Sequence, residues 1–193
     1  MNVLFDMLSS FTRKEKKDVN EKKYYELMLN NGKKTGVLYA PPGTDTLWCR
    51  ECYPVIGYED MVFTLKDGEY APYMISNVCC YLADEDLKQL IEEVIPEGYP
   101  LELLPVRVTS EEYGDKTYYL IHFTELLDVI DRKHSKCIPG TKAIAVPRVD
   151  HEKAKKLDFF NCDVRHQYFF VSDRMRKMMK KRKLDKSIRF IER

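Results

Sequence analysis

Leu87, Leu90, Ile91, Val94 and Ile95 are spaced i, i+3, i+4, i+7 and i+8, directly behind Asp84. That spacing puts all five on one face of a helix, and Asp84 is a natural N-cap for its unpaired first-turn amides. Pro96 and Gly98 predict where it stops. A second helix with the same grammar is predicted near the end of the sequence. There "YFFV" reads as a strand, Ser172 or Asp173 as a cap, and Met175, Met178 and Met179 as one helical stripe. "CCYLADEDLKQLIEEV" and "YFFVSDRMRKMMKKRK" align strand to strand and cap to cap, either as a weak internal repeat or as two independent uses of one unit.

The other segments read as strands. Two apolar runs flank Asn31 and Gly32, which predicts a hairpin with a positive-φ turn. Asp67 and Gly68 predict another, between "MVFTL" and "EYAPYMI", with Pro72 assigning the second strand to an edge or bulge. "NVCCYLA" reads as a buried strand. "YPLELLPVRVTS" and "KTYYLIHF" are expected to pair antiparallel across "EEYGD", and "KAIAVPRV" adds a later strand. Residues 44–60 show no period. Leu4, Met7, Leu8 and Phe11 predict a short amphipathic N-terminal helix, followed by a charged linker to residue 22. The expected fold is α+β: an antiparallel sheet, two main amphipathic helices and the short N-terminal one, with residues 23–193 as a single domain.

Composition supports a folded chain of this size. With 193 residues, 44% hydrophobic and 33% charged, the chain can fill one core and keep a charged surface. The net charge of +1 hides an asymmetry. Residues 172–193 hold ten Lys or Arg against three acids, a local +7, leaving −6 for residues 1–171. Asp6 interrupts an apolar run too short for a signal or a membrane span, so a cytoplasmic protein with no membrane partner is expected. The six cysteines then read as reduced thiols, several of them small buried hydrophobes.

Candidate chemistry is sparse. Cys49 and Cys52 in "CREC" have the spacing of two zinc ligands, but no second such pair supplies the other two, so the motif supports either incidental cysteines, a metal site or a redox pair. No Gly-x-Ser-x-Gly, His-Glu-x-x-His or glycine-rich phosphate loop is present. His122 reads as a strand histidine. His134 and Ser135 are adjacent with Asp131 nearby, which alone makes no triad. Asp84, Glu85 and Asp86 suit the positive end of a helix dipole, and the acidic face could also meet a basic protein partner. The basic residues Arg174, Arg176, Lys177, Lys180, Lys181 and Arg182 read as the solvated side of the last helix. Nucleic-acid binding is the competing reading, without the interleaved aromatics that usually accompany it.

Two segments, "YYLIHFTELLDVIDRKHSK" and "LDFFNCDVRHQYFFVSDRMRKMMKKRKLDKSIRF", resemble bacterial polymorphic-toxin immunity proteins. The residues carrying the resemblance are Leu127, Asp128, Asp131 and Ser135, then Phe159 and Phe160, then Val171, Ser172 and Asp173, and finally Ile188 and Phe190. Ser187 stands where that pattern has glycine. The likeness spans residues 75–193 and leaves "CREC" outside. It implies a protein encoded beside a secreted toxin that neutralises it by stoichiometric binding. It further implies that no residue is catalytic, that no cofactor is needed, and that Asp131, Ser135, Ser172 and Asp173 are structural caps and turn locks. The alternatives are a nucleic-acid-associated protein using the basic helix and a zinc-stabilised adaptor built on Cys49 and Cys52.

Overall fold

The computed structural model describes residues 22–30, 34–45, 48, 51–164 and 169–193; the expected N-terminal helix falls outside them. In chain order the strands are β1 (Tyr24–Leu29), β2 (Leu38–Tyr39), β3 (Val62–Leu65), β4 (Tyr73–Ile75), β5 (Tyr81–Ala83), β6 (Leu101–Thr109), β7 (Lys116–Phe123), β8 (Lys136–Cys137), β9 (Ile144–Val146), β10 (Phe159–Phe160), β11 (Phe170–Ser172) and β12 (Ile188–Glu192). The α-helices that lie wholly among the described residues are α1 (Glu85–Val94), the short α2 (His151–Ala154) and α3 (Asp173–Lys181). Sheet therefore dominates, with few helices.

β6 and β7 pair antiparallel from Leu101 opposite Phe123 to Val108 opposite Lys116, as their sequences predict. They centre a six-stranded sheet of order β2-β3-β6-β7-β5-β4. Its pairing corrects three expectations. β3 runs parallel to β6, so the sheet is mixed. β1 and β2 do not form a hairpin, because β1 lies in a different sheet between β11 and β12. β3 and β4 do not pair across Asp67 and Gly68 either. There the chain turns, with Gly68 at φ 82°, but Glu69 then bonds to Lys34 and Gly36. A Cβ on Gly68 would lie 2.6 Å from Gly36 Cα, so only two glycines allow this approach.

Isolated parallel bridges join Thr35 to Glu69 and Leu38 to Ser76. They tie β2 to the segments flanking β4 and bring the sheet close to a barrel. Its interior is filled by Leu38, Phe63, Leu65, Met74, Leu82, Val106, Val108, Tyr118 and Leu120. β4 is an edge strand, as Pro72 indicated. The buried strand expected over "NVCCYLA" is shorter than the apolar run: only Tyr81–Ala83 is strand. Before it, Ser76 Oγ accepts from Cys80 N and Cys79 sits exposed at φ 62°, so the chain turns instead of extending.

The second sheet, β10-β11-β1-β12, is antiparallel. Between it, the barrel and the helices lies a core of Leu27, Tyr73, Leu87, Leu90, Ile91, Phe123, Phe169, Met175 and Met179. The two strand-cap-helix units thus bury their helical stripes in one place. Asp84 Oδ1 accepts from Leu87 N at 2.9 Å, and Ser172 Oγ accepts from Met175 N at 3.2 Å, which resolves the second cap in favour of Ser172. A third cluster holds Tyr24, Val129, Ile130, Val149, Phe160 and Phe170 beneath the β8-β9 hairpin.

Candidate functional site

The residues singled out in the sequence gather at three places. The first is the base of the β8-β9 hairpin. Asp131 Oδ1 accepts from the backbone amides of Lys133 and His134, both at 3.1 Å, and its Oδ2 lies 2.6 Å from His134 Nδ1. This bond to His134 is the main reason the Asp131 carboxyl is held below its ordinary pKa. Ser135 Oγ donates to Asp131 O at 2.6 Å and accepts from Arg148 N at 2.9 Å. The serine hydroxyl is therefore spent on backbone and does not face His134, so Asp131, His134 and Ser135 do not form a nucleophilic relay.

The second place is the cap of α3. Ser172 Oγ, fully buried, donates to Asp158 while capping Met175 N. Asp158 also meets Lys22 Nζ at 3.1 Å and Arg174 at 3.5 Å. Asp173 binds Arg176 at 2.8 Å and Lys177 at 2.6 Å, and these cations lower its pKa. Ser187, at the glycine of the resembled pattern, is buried and donates to Tyr73 O at 2.7 Å.

The third place is a cavity of about 20 Å³ at the end of the barrel, lined by Trp48, Cys52, Cys79, Cys80, His122 and Asn161 among others. Tyr118 and Leu120 of β7 point into the barrel, and the two-residue strand period puts His122 in the same row. The Trp48 and His122 rings meet edge to face at 5.9 Å. Trp48 Nε1, His122 Nε2 and Asn161 Oδ1 are buried without a hydrogen-bond partner, and burial lowers the His122 pKa. Cys52 is half-buried at φ 57°, and its thiol pKa is raised mainly by desolvation. Cys49 lies outside the described residues, among which no group of three or more His, Cys, Asp or Glu is placed to hold a metal ion.

Two features carried no sequence signal. Glu26, in the middle of β1, is fully buried, and Arg193 Nε and Nη2 both reach its Oε2 at 2.6 Å. The Trp48 and Asn161 contribution to the cavity was also invisible, because neither residue sits in a motif.

The charged helices largely satisfy themselves and each other. Lys88 lies 3.7 Å from Glu85 and 3.1 Å from Glu92, while Arg182 of α3 binds Glu93 of α1. Arg176 lies over the Tyr25 ring and Lys180 over Phe190. Met175 and Met179 are fully buried and Met178 packs beside them, so the stripe faces the core and the cations face outward. Among the described residues, no helix is long and apolar enough to cross a membrane.

Residues 57–192 match the immunity protein family (Imm11). That range begins ahead of the resemblance at residue 75, contains all four groups of motif residues, and excludes Cys49 and Cys52. No curated protein matches the chain. Because the match covers well over half its length, the chain belongs to the immunity protein family Imm11.

Proposed function

We propose that this protein binds a cognate toxin domain of a polymorphic toxin system and neutralises it by stoichiometric occlusion in the cytoplasm, without turnover or a cofactor. The family match over residues 57–192 carries this reading. The described geometry agrees with it: Asp131, Ser135 and Ser172 spend their polar atoms on turns and a helix cap, the work of a scaffold. Residues 23–193 act as one domain in this reading. Nucleic-acid binding through α3 is less favoured, since Arg174, Arg176, Lys177 and Arg182 already have carboxylate partners.

The test is to express the tagged chain in its own host and identify what co-purifies at stoichiometric amounts. A toxin-bearing protein, together with survival of cells producing that toxin domain only when this chain is present, is the expected result. Nucleic acid released by salt, with no protein partner, would overturn the proposal.

A further inference from the structure

Between Asp131 and Asp150 the chain carries Arg132, Lys133, Lys136, Lys142 and Arg148 and no acidic residue. The stretch from Arg174 to Leu184 is denser, with seven Lys or Arg and no acid, but Arg174, Arg176, Lys177 and Arg182 there have carboxylate partners. The structure makes a hairpin of the first stretch. β8 and β9 pair antiparallel, and Ile138 O accepts from Thr141 N at 3.0 Å across Pro139 and Gly140. With Gly140 at φ 77°, this tip has the proline and glycine placement of a type II turn.

Arg132 binds Asp163, but Lys133, Lys136, Lys142 and Arg148 have no ion pair among the described residues. All four are exposed. Ile138 and Val146 stand among them at 48% and 39% exposure. The hairpin is held firmly at its root. Asp131 and Ser135 fix one strand to Arg148 on the other, and Val149 is buried opposite Ile130. Rigid presentation matters because a surface already in its bound shape loses less entropy on association.

We propose that this hairpin is the surface that receives an acidic face of the toxin domain, with Ile138 and Val146 covered at the centre and the four cations around them. The proposal rests on the neutralising function above. A protein is favoured over nucleic acid because the exposed apolar residues are aliphatic. From Arg132 to Val149 there is no Phe, Tyr or Trp on which a base could stack. Unpaired cations without competing acids speed encounter with an oppositely charged protein and orient it.

The experiment uses the full chain, the purified toxin domain encoded beside its gene, and two double variants matched in charge: Lys136→Glu/Lys142→Glu on the hairpin and Lys181→Glu/Lys183→Glu at the C-terminal end of α3. Both alter exposed side chains, and unchanged thermal melting verifies folding. The expected result is a Kd raised at least about 50-fold by the hairpin variant and less than about threefold by the α3 variant, with a marked salt dependence only when the hairpin is intact. If the toxin domain binds and the hairpin variant stays within about threefold of wild type, the surface is wrong and the function stands. If wild type does not bind the toxin domain, the function itself fails. Hairpin-dependent binding to a short DNA duplex or to anionic vesicles, stronger than to the toxin domain, would overturn the assignment to a protein partner.

Discussion

Arg182 on α3 reaches Glu93 on α1 through both guanidinium nitrogens, Nη1 to Oε1 at 2.9 Å and Nη2 to Oε2 at 2.6 Å. The basic and acidic helices are thus joined at their ends, and part of the charge that polarises the sequence is paired across them. The guanidinium holds the Glu93 carboxyl below its ordinary value of 4.5. Since the folded value is depressed, the pair's contribution is present above the unfolded value and is lost as pH falls through the folded one. An NMR titration should place the Glu93 midpoint below 4.5 in wild type and move it upward in Arg182→Ala.

The division of α3 into an inner and an outer side gives a sharp contrast. Met179→Ala empties a fully buried site and should cost about 2–4 kcal/mol in urea denaturation. Lys181→Ala, on the exposed side, should stay within about 0.5 kcal/mol. Similar losses from both would show that the stripe does not face the core.

Ser172→Ala should destabilise the fold by about 2–3 kcal/mol. It removes an N-cap, worth about 1 kcal/mol, and also the buried donor to Asp158. Ser172→Asn, which retains a capping oxygen, should recover only part of this, because no hydroxyl then meets Asp158. Equilibrium unfolding of the two variants separates the contributions.

How much of this was readable in the sequence depends on the range of the interaction. The two helices were legible because Asp84, Ser172 and the apolar spacing act within a few residues. The hairpins at Asn31–Gly32 and Asp67–Gly68 were misjudged for the opposite reason. A turn dipeptide says where the chain bends, but which strand receives β3 is decided by burying Phe63 and Leu65 against Val106 and Val108, more than forty positions away in the chain. Glu26 was unreadable because its partner is Arg193. The family resemblance offered a structural reading of Asp131 and Ser135, whereas the unpaired charge of the hairpin whose root they join required the ion pairs to be seen.

His122 should make stability depend on pH. Burial lowers its folded pKa below the ordinary 6.5, so the unfolded chain binds more protons as pH falls past that value. Stability is therefore full above 6.5 and declines below it. The melting temperature should drop between about pH 7.5 and about pH 5.5, and His122→Leu should flatten that slope whatever its effect on absolute stability. An unchanged slope in the variant would assign the dependence elsewhere.

Lys183 follows α3 at φ 59°, while Leu184 N bonds back to Met179 O at 2.9 Å. This is the left-handed closing position where glycine is favoured. Lys183→Gly should stabilise the protein by about 0.5–1 kcal/mol by relieving the Cβ penalty. A loss of stability in thermal unfolding would mean that the lysine makes a compensating contact.

β1 takes both of its neighbours, β11 and β12, from residues 170–192, so a strand made early waits for partners made late. At roughly 5–20 residues per second, synthesis of the intervening chain lasts roughly seven to thirty seconds, during which the apolar side chains of Tyr25, Leu27 and Leu29 have no sheet to enter. The second sheet cannot assemble on the ribosome until those strands emerge. If the proposed neutralising role holds, toxin binding that depends on this sheet begins only after that delay.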